Sequence, residues 1–276
     1  MPTQLQNGIY AAALTPLNAD LSCNDEWLAL HCKNLISRGC SGIALFGTTG
    51  EGPSFSVAEK VNTLKNVIAL GLDPSKIILA NGSSNLPDSV ALAKSALDAD
   101  CVACLISPPS FYKNISEEGV LAFYREIIKQ VANPKLQILL YHIPQYSGVP
   151  LTVHIVKTLC TEFPGIVVGL KESEGNLAFT KSLLQEVPNC KIYVGKESQI
   201  TEAMHLGAAG SICGKANLYP ELICSLVEHD NTKELEKIAL LFENRPFVAC
   251  CKALLAAKET PHWNRLRPPL IPLNIN

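Results

Sequence analysis

The sequence predicts an α/β fold, a TIM (β/α)8 barrel followed by a C-terminal helical segment. Eight short apolar runs alternate along the chain with stretches whose apolar residues recur at helical spacing. The runs are continuously apolar, which is typical of parallel strands buried on both faces. A length of 276 residues with 47% hydrophobic content suffices for one large core. These observations favour a closed barrel over an open doubly wound sheet.

Each of the eight runs is a predicted strand. The runs are IYAAALTP (9–16), GIALFG (42–47), KIILANG (76–82), CVACLISP (101–108), QILLYHIP (137–144), IVVGLKES (166–173), KIYVGKE (191–197) and GSICGKAN (210–217). Stretches such as NDEWLALHCKNLISRG, SVAEKVNTLKNVIALG and SEEGVLAFYREIIKQV lie between them. They carry acids near their starts and Gly or basic residues near their ends, which indicates helices.

The chain after the eighth run exceeds one barrel repeat. We therefore predict a barrel over residues 1–218 and a C-terminal helical extension over residues 219–276. The helix-like segments there are YPELICSLVEHD, TKELEKIALLFENR and FVACCKALLAAKE. The proline-rich tail LRPPLIPLNIN is predicted to be non-helical.

Composition favours a small-molecule enzyme over a nucleic-acid or membrane protein. Charged residues are 17% of the chain and the formal net charge is -2, so no basic nucleic-acid surface is indicated. The sequence has no secretory leader pattern, and its apolar runs fall short of the roughly 20 residues of a membrane helix. We expect a cytoplasmic protein that binds a small neutral or anionic metabolite.

Most of the eleven cysteines lie inside apolar segments, as buried free thiols do. Cys101 and Cys104 form a C-x-x-C pattern within a predicted strand. Residues three apart in a strand point to opposite faces, and no second cysteine pair with zinc spacing accompanies them. We interpret both as structural.

Lys171 is an amine near the end of a run that is otherwise apolar, IVVGLK. Desolvation lowers the pKa of such an amine and favours the free base that Schiff-base formation requires. Alternation would place Val167, Gly169, Lys171 and Ser173 on one face and Glu172 on the other. Lys171 is therefore either a nucleophile or a rim lysine paired with Glu172 or Glu174.

Two further features lie at predicted strand ends, where a TIM barrel carries its reactive residues. Tyr141 ends the preceding run, within reach of an adduct on Lys171, and is either a proton relay or a packing residue. The loop G-T-T-G-E (47–51) offers hydroxyls and backbone N–H groups that suit a carboxylate. Neither dinucleotide nor P-loop fingerprints occur.

These motifs together resemble the dihydrodipicolinate synthase / N-acetylneuraminate lyase family of pyruvate-handling Schiff-base barrels. The resemblance runs from about Gly8 to about Leu273. Its carriers are FGTTGEGPS (46–54), SPPSFYKNISEEG (107–119), LLYHIPQYSG (139–148), GLKESEGN (169–176), YVGKES (193–198) and RPPLIPL (267–273).

The resemblance implies roles for individual residues. Lys171 matches the imine-forming lysine, Tyr141 the proton-relaying tyrosine, and Thr48 the hydroxyl that links it to a second tyrosine. Tyr112 matches that second tyrosine, which is inserted from a neighbouring subunit, so a homotetramer is implied. The positions that match the pyruvate pocket are Thr49, Gly47, Gly195 and Ile212. The resemblance implies neither a metal nor a cofactor.

Three departures bear on the second substrate. Tyr146 stands where synthases of this family carry an arginine for the aldehyde's carboxylate, and a phenol makes no bidentate ionic contact. His142 replaces the usual asparagine, as a substrate contact or as a structural residue. Lys196 and Glu197 lie where the second substrate is chosen, either to bind its tail or as a solvated pair.

The resulting hypothesis is a class I aldolase acting on pyruvate, or another 2-oxo acid, and an aldehyde. GTTGEGPS and the RPPLIPL tail resemble the 2-keto-3-deoxy sugar-acid aldolases. The alternative is dihydrodipicolinate synthase, condensing pyruvate with aspartate semialdehyde. The second alternative is a non-catalytic sugar-acid sensor.

Overall fold

The computed structural model describes residues 4–274, and eight parallel strands form its centre. Each strand pairs with the next along the chain, and the first and last also pair, so the sheet closes into the predicted barrel. The strands are β1 (Gly8–Ala12), β2 (Gly42–Leu45), β3 (Ile77–Ala80), β4 (Ala103–Ile106), β5 (Ile138–His142), β6 (Val167–Glu172), β7 (Lys191–Val194) and β8 (Gly210–Cys213).

Helices surround the barrel and continue beyond it. They are α1 (Asp25–Ser37), α2 (Val57–Ala69), α3 (Leu86–Asp98), α4 (Glu117–Val131), α5 (Pro144–Ser147), α6 (Val153–Glu162), α7 (Leu177–Glu186), α8 (Ile200–His205), α9 (Pro220–Ser225), α10 (Thr232–Ala239) and α11 (Phe247–Lys258). No helix of the described chain is long and apolar enough to cross a membrane.

All eight predicted strands are confirmed, but each leaves the sheet before its apolar run ends. The second run shows why: β2 stops at Leu45, and Phe46 has a φ of 56°. A positive φ turns the chain out of the extended conformation. The residues just beyond the strands therefore form loops at the carboxyl end of the barrel.

The strands are buried on both faces. One apolar cluster fills the barrel, with Tyr10, Ile78, Leu105 and Tyr193 among its members, and another lies between the barrel and the helices. Two-sided burial explains why the strand sequences are continuously apolar.

The predicted face of Val167 is wrong. The pairing of β5 with β6 is irregular, since Ile138 pairs with Val167 whereas Leu139 pairs with Gly169. A bulge of this kind shifts side-chain alternation by one residue. Val167 consequently lies in the outer cluster, and Val168 packs against the inner one.

The predicted setting of the C-x-x-C pattern is also wrong. Cys101 precedes β4, and both Cys101 and Cys104 pack on the outer cluster instead of facing opposite ways. All eleven cysteines are free thiols.

The segment after β8 packs across the first strand and the first helix. Trp263 is fully buried, with ring centroids 5.1 Å from Trp27 and 4.8 Å from His31. Beyond it, residues 265–274 are non-helical, as the prolines predict.

Candidate active site

Lys171 lies on the inner face of β6 and is 5% exposed. Strand register places it beside Tyr141 of β5. Its Nζ lies 3.4 Å from the Tyr141 hydroxyl and 4.5 Å from the centre of that ring. Within residues 4–274 it makes no other hydrogen bond and no ion pair, so the amine faces only a phenol.

The two carboxylates predicted as possible partners of Lys171 are engaged elsewhere. Glu172 Oε1 accepts hydrogen bonds from the backbone N–H groups of Gly175, at 2.9 Å, and Asn176, at 3.4 Å. Glu174 lies 3.4 Å from the Nε2 of His142. The rim ion pair considered for Lys171 is therefore absent from the described chain.

Thr48 continues the row of polar groups that begins at Lys171. Its Oγ1 lies 3.3 Å from the Tyr141 hydroxyl, and either atom can donate. The three side chains thus form a line in which one phenol contacts both an amine and an alcohol. A proton can pass along such a line between bound substrate atoms and the phenol.

The loop that holds Thr48 is tightly folded. A Cβ on Gly52 would lie 1.7 Å from the Phe46 carbonyl oxygen, so only glycine fits there. A Cβ on Gly47, in contrast, would meet nothing within 4 Å. Gly47 therefore leaves its backbone open to a ligand beside Thr48.

A cavity of about 390 Å³ adjoins this row, a volume that suits a small metabolite. None of its described lining residues is charged, and many carry hydroxyls. The hydroxyl-bearing residues are Thr48, Ser84, Ser107, Ser110, Tyr141, Tyr146 and Ser147. The cavity therefore provides hydrogen bonds without a counter-charge.

Comparison with the sequence models of protein families identifies the family of this chain. The sequence model of the "Dihydrodipicolinate synthetase family" matches residues 5–276. The chain belongs to this family.

Three relatives illustrate the match. An "Uncharacterized DapA-like lyase" of Chloroflexus aurantiacus is 34% identical, over 97% of this chain and 92% of its own length. A "2-dehydro-3-deoxy-phosphogluconate/2-dehydro-3-deoxy-6-phosphogalactonate aldolase" of Saccharolobus solfataricus is 28% identical, over 79% of this chain and 70% of its own. The crystal structure of dihydrodipicolinate synthase from Agrobacterium tumefaciens superimposes with a TM-score of 0.93 at 30% identity, covering 98% of this chain and 94% of that one.

Members of the dihydrodipicolinate synthetase family are lyases and aldolases, and this chain is an enzyme of that kind. The predicted barrel and the predicted family are confirmed.

Three of the predicted substrate-binding residues lie on different strands or the loops after them: Thr49 follows β2, Gly195 follows β7 and Ile212 lies within β8. The Thr49 hydroxyl oxygen lies 3.1 Å from the point where Gly214 would carry a Cβ, at the end of β8. Gly195 follows β7 and donates its N–H to the Glu172 carbonyl at 2.6 Å. Ile212 is fully buried in the inner cluster of the barrel.

Glu197 does not line the hydroxyl-rich cavity. It is 7% exposed, and its two oxygens accept hydrogen bonds from the Lys215 N–H at 2.9 Å and the Lys215 ammonium at 2.8 Å. Lys196 is exposed, and its chain packs over Gly175. The structure thus pairs Glu197 with Lys215, not with Lys196.

Tyr112 lies apart from the row of Lys171, Tyr141 and Thr48. Its loop precedes α4, it is 70% exposed, and it contacts Phe111 edge to face at 5.4 Å. Among residues 4–274 of a single chain, no hydrogen bond joins it to the row. Its predicted role therefore requires a second subunit.

His142 points away from the cavity. Its Nδ1 accepts the Leu151 backbone N–H at 3.1 Å, which leaves the ring proton on Nε2, facing Glu174. Its ring also lies 4.6 Å from that of Phe179, and burial lowers its pKa. His142 therefore has a structural environment, although His142, Glu172 and Glu174 bring potential metal-ligand atoms within 4.8 Å of one another.

The contacts that hold the GTTGE loop (47–51) in place were not predicted from the sequence. Glu51, 2% exposed, pairs with the ammonium of Lys252 on α11 and accepts the Arg267 N–H at 2.9 Å. Arg267 also donates to the Ser54 carbonyl at 2.7 Å. The RPPLIPL tail thus holds the GTTGE loop, a contact that no local pattern signals.

Proposed function

We propose that this enzyme is a class I aldolase that cleaves or forms a 2-oxo acid of the 2-keto-3-deoxy type through a Schiff base. The observation that carries the proposal is the buried Lys171, whose hydrogen-bond partner is Tyr141. The Tyr141 hydroxyl in turn hydrogen-bonds Thr48. An amine held without a carboxylate partner suits covalent catalysis better than it suits stability.

In the cleavage direction, the free amine of Lys171 attacks the C2 carbonyl of the 2-oxo acid. Tyr141 donates its proton to the departing hydroxyl, and loss of water leaves an iminium that withdraws electrons from the bond between C3 and C4. The phenolate so formed then takes the proton of the C4 hydroxyl as that bond breaks. An aldehyde departs, and the remaining enamine takes a proton at C3 before water releases pyruvate.

The carboxylate of the 2-oxo acid is assigned to the loop at Gly47, Thr48 and Thr49. The loop offers hydroxyls and an unobstructed backbone at Gly47, next to the catalytic row. Neutral donors bind a carboxylate through hydrogen bonds without supplying a full counter-charge.

Tyr112 is proposed to complete the row from a neighbouring subunit. Its exposed ring, beside the 78% exposed Phe111, supports an intermolecular role, because large aromatic residues favour interfaces. The homotetramer and the cytoplasmic location stay predictions.

For the aldehyde, the cavity favours a hydroxylated, uncharged molecule. Its lining bears hydroxyls and no cation, and Tyr146 is one of the lining residues. Lys113 lies next to this lining, but its ammonium donates to the carbonyls of Ser110 and Ser147. Aspartate semialdehyde carries a carboxylate for which these residues provide no guanidinium.

Dihydrodipicolinate synthase activity is the second candidate. The Agrobacterium tumefaciens synthase, with its TM-score of 0.93, supports it. The two candidates share the same enamine and differ in the aldehyde that consumes it, so one experiment separates them.

The test is intact-protein mass after borohydride reduction, with pyruvate alone and with pyruvate plus glyceraldehyde or aspartate semialdehyde. We expect a pyruvyl adduct on Lys171, none in Lys171→Ala, and adduct consumption by glyceraldehyde. Consumption by aspartate semialdehyde alone would favour the synthase. Absence of any adduct would refute the imine mechanism and favour the sugar-acid sensor.

A further inference from the structure

Thr49 carries a partly exposed hydroxyl that is free to bind a ligand. Among residues 4–274 its Oγ1 makes no hydrogen bond, whereas the Oγ1 of Thr48 lies 3.3 Å from the Tyr141 hydroxyl. Thr49 belongs to the loop to which the carboxylate of the 2-oxo acid is assigned. A free hydroxyl can donate to such a carboxylate, so the position of Thr49 should affect how tightly the 2-oxo acid binds.

Gly214 directly follows β8 and lies between Thr49 and Phe247 of α11. A Cβ on Gly214 would lie 3.1 Å from the Thr49 hydroxyl oxygen and 2.6 Å from the Cζ of Phe247. Only glycine fits into this space, and its backbone packs directly against both side chains. The position of Gly214 therefore determines how far the Thr49 side chain can move back from the ligand.

Lys215, the next residue, is attached to Glu197, which follows β7. Glu197 Oε1 accepts the Lys215 backbone N–H at 2.9 Å, and Oε2 accepts the Lys215 ammonium at 2.8 Å. The two side chains are 16% (Lys215) and 8% (Glu197) exposed, so water competes little for these charge-assisted bonds. One buried carboxylate thus holds the backbone immediately after Gly214.

The Lys215 ammonium also contacts the aromatic rings that pack on this segment. It lies 5.2 Å from the centre of the Phe242 ring and 5.5 Å from the centre of the Phe247 ring. Both distances are within the range of a cation–π interaction. Lys215 therefore connects Glu197 to the same Phe247 ring that packs against Gly214.

Asn217 fixes Gly214 from the side of β1. Its Nδ2 donates to the Gly214 carbonyl at 2.7 Å and to the Ala12 carbonyl at 2.8 Å. Its Oδ1 accepts the Leu14 N–H at 2.9 Å. Gly214 is therefore held on both sides of β8, by Asn217 towards β1 and by Glu197 towards β7.

We propose that Glu197 and Lys215 are positioning residues for the carboxylate of the 2-oxo acid. By holding Gly214 against Thr49, they keep the Thr49 hydroxyl where that carboxylate binds. This role rests on the proposed function, which assigns the carboxylate to the Thr49 loop. It also accounts for a Glu197 side chain that is buried beside the site without lining the hydroxyl-rich cavity.

The role predicts a separation between binding and chemistry. Among residues 4–274, neither Glu197 nor Lys215 hydrogen-bonds the row of Lys171, Tyr141 and Thr48. Loss of the Glu197 contacts should therefore weaken binding of the 2-oxo acid and leave the turnover at saturating substrate nearly unchanged.

The experiment measures the pyruvate concentration that gives half-maximal borohydride trapping, together with turnover at saturating pyruvate. In Glu197→Ala, which loses both acceptors, we expect this concentration to rise about tenfold, as for one lost hydrogen bond to a charged group. Glu197→Gln keeps an oxygen for the Lys215 N–H and should restore the concentration to within about threefold of the native value. An unchanged concentration in Glu197→Ala would overturn the positioning role.

Two further variants separate positioning from stability. Glu162→Ala is the matched control, since Glu162 at the end of α6 also accepts two hydrogen bonds from one cation, Arg125, at 2.8 and 2.7 Å. It should leave the half-saturating concentration unchanged; an equal rise there would attribute the effect to general destabilisation and overturn the role. If Glu197→Ala does not fold, Lys215→Met decides, because it keeps the backbone N–H and an unbranched side chain. It should raise the concentration, and a native value would overturn the role.

A failure of the proposed function would be recognised separately. Native enzyme that forms no adduct would refute the imine, and calorimetric binding of pyruvate to the native enzyme and to Glu197→Ala would then test the positioning role. Weaker binding by the variant would support that role, and equal binding would overturn it. Native enzyme that neither traps nor binds pyruvate would overturn both proposals.

Discussion

Lys171 and Lys252 are both buried, yet their surroundings differ completely. Lys252 is 0% exposed, and its ammonium pairs with Glu51 and donates to the Arg265 carbonyl at 2.7 Å. Lys171 is 5% exposed and has a single phenol at 3.4 Å. One amine is matched by an opposite charge, and the other is not.

Under the proposed mechanism, this difference distinguishes a lysine that stabilises the fold, Lys252, from one that acts in catalysis, Lys171. A buried ammonium without a counter-charge is unfavourable, and a protein tolerates it where reactivity is needed. Lys252, by contrast, positions the loop that carries Thr48, through Glu51. Activity and stability should therefore respond oppositely when each lysine is replaced.

The largest expected effect is on activity in Lys171→Met. Loss of the nucleophile should reduce aldolase turnover by at least about 10⁴-fold and abolish borohydride trapping of pyruvate. Tm should equal or exceed that of the native enzyme, because an unpaired buried amine is replaced by an apolar chain of similar length. Steady-state rates and thermal unfolding measure the two effects.

Lys181→Met is the control for this change, because Lys181 is exposed on the helix that follows β6. It should keep full activity and full trapping. Retained trapping in Lys171→Met would show that another amine carries the reaction.

Next in size is Tyr141→Phe, which keeps the ring and removes the hydroxyl between Lys171 and Thr48. Turnover should fall by roughly 10²–10⁴-fold with folding intact. Tyr124→Phe is a matched control, since the Tyr124 hydroxyl donates only to the Ile106 carbonyl, at 3.0 Å. It should cost stability and leave the rate unchanged; an unchanged rate in Tyr141→Phe would remove the phenol from the mechanism.

Lys252→Met should affect stability first. Glu51 would be left buried without its partner, and breaking a buried ion pair on one side costs about 3–5 kcal/mol. Urea unfolding measures this loss. Lys258→Met, an exposed change on the same helix, should cost no more than about 1 kcal/mol. A similar loss in both would show that the ion pair contributes little.

The sequence predicts the barrel well because each strand carries its own signal. A continuous apolar run between helix-like stretches identifies all eight strands. Their ends are less predictable. An apolar residue such as Phe46 has a side chain that suits a strand, but its positive backbone φ ends the strand. The bulge near Val167 depends on pairing with β5 and has no local signal either.

Some residues of the candidate site are likewise predictable from the sequence, and others are not. Lys171 stands out as a lone amine in an apolar run, and strand order places Tyr141 beside it. The pairing of Glu51 with Lys252 joins residues 201 positions apart, which neither periodicity nor spacing encodes. Tyr112 is exposed in a single chain, so its position relative to the site depends on assembly.

Lys60 is intermediate between Lys171 and Lys252, because it is buried and hydrogen-bonded to a carbonyl. It is 2% exposed on α2, and its ammonium donates to the Asn81 carbonyl at 2.8 Å, without a carboxylate partner. Burial lowers the pKa of Lys60 to about 8. The unfolded chain, with an ordinary lysine pKa of about 10.4, therefore binds more protons between these two values.

The stability that the native enzyme gains relative to Lys60→Met should consequently rise with pH. Below pH 8, Lys60 is protonated in both the folded and the unfolded protein, so the folded protein bears the full free-energy cost of a buried ammonium. Towards pH 10.4 that cost disappears, and the free energy of unfolding rises by up to about 3 kcal/mol. Thiols and tyrosines titrate in both proteins, so the difference between their urea unfolding free energies at pH 7.5 and 9.5 isolates Lys60. The exposed Lys65→Met, on the same helix, should show no such trend. A flat difference for Lys60→Met would mean that the hydrogen bond to Asn81 compensates for burial as fully as Glu51 does for Lys252.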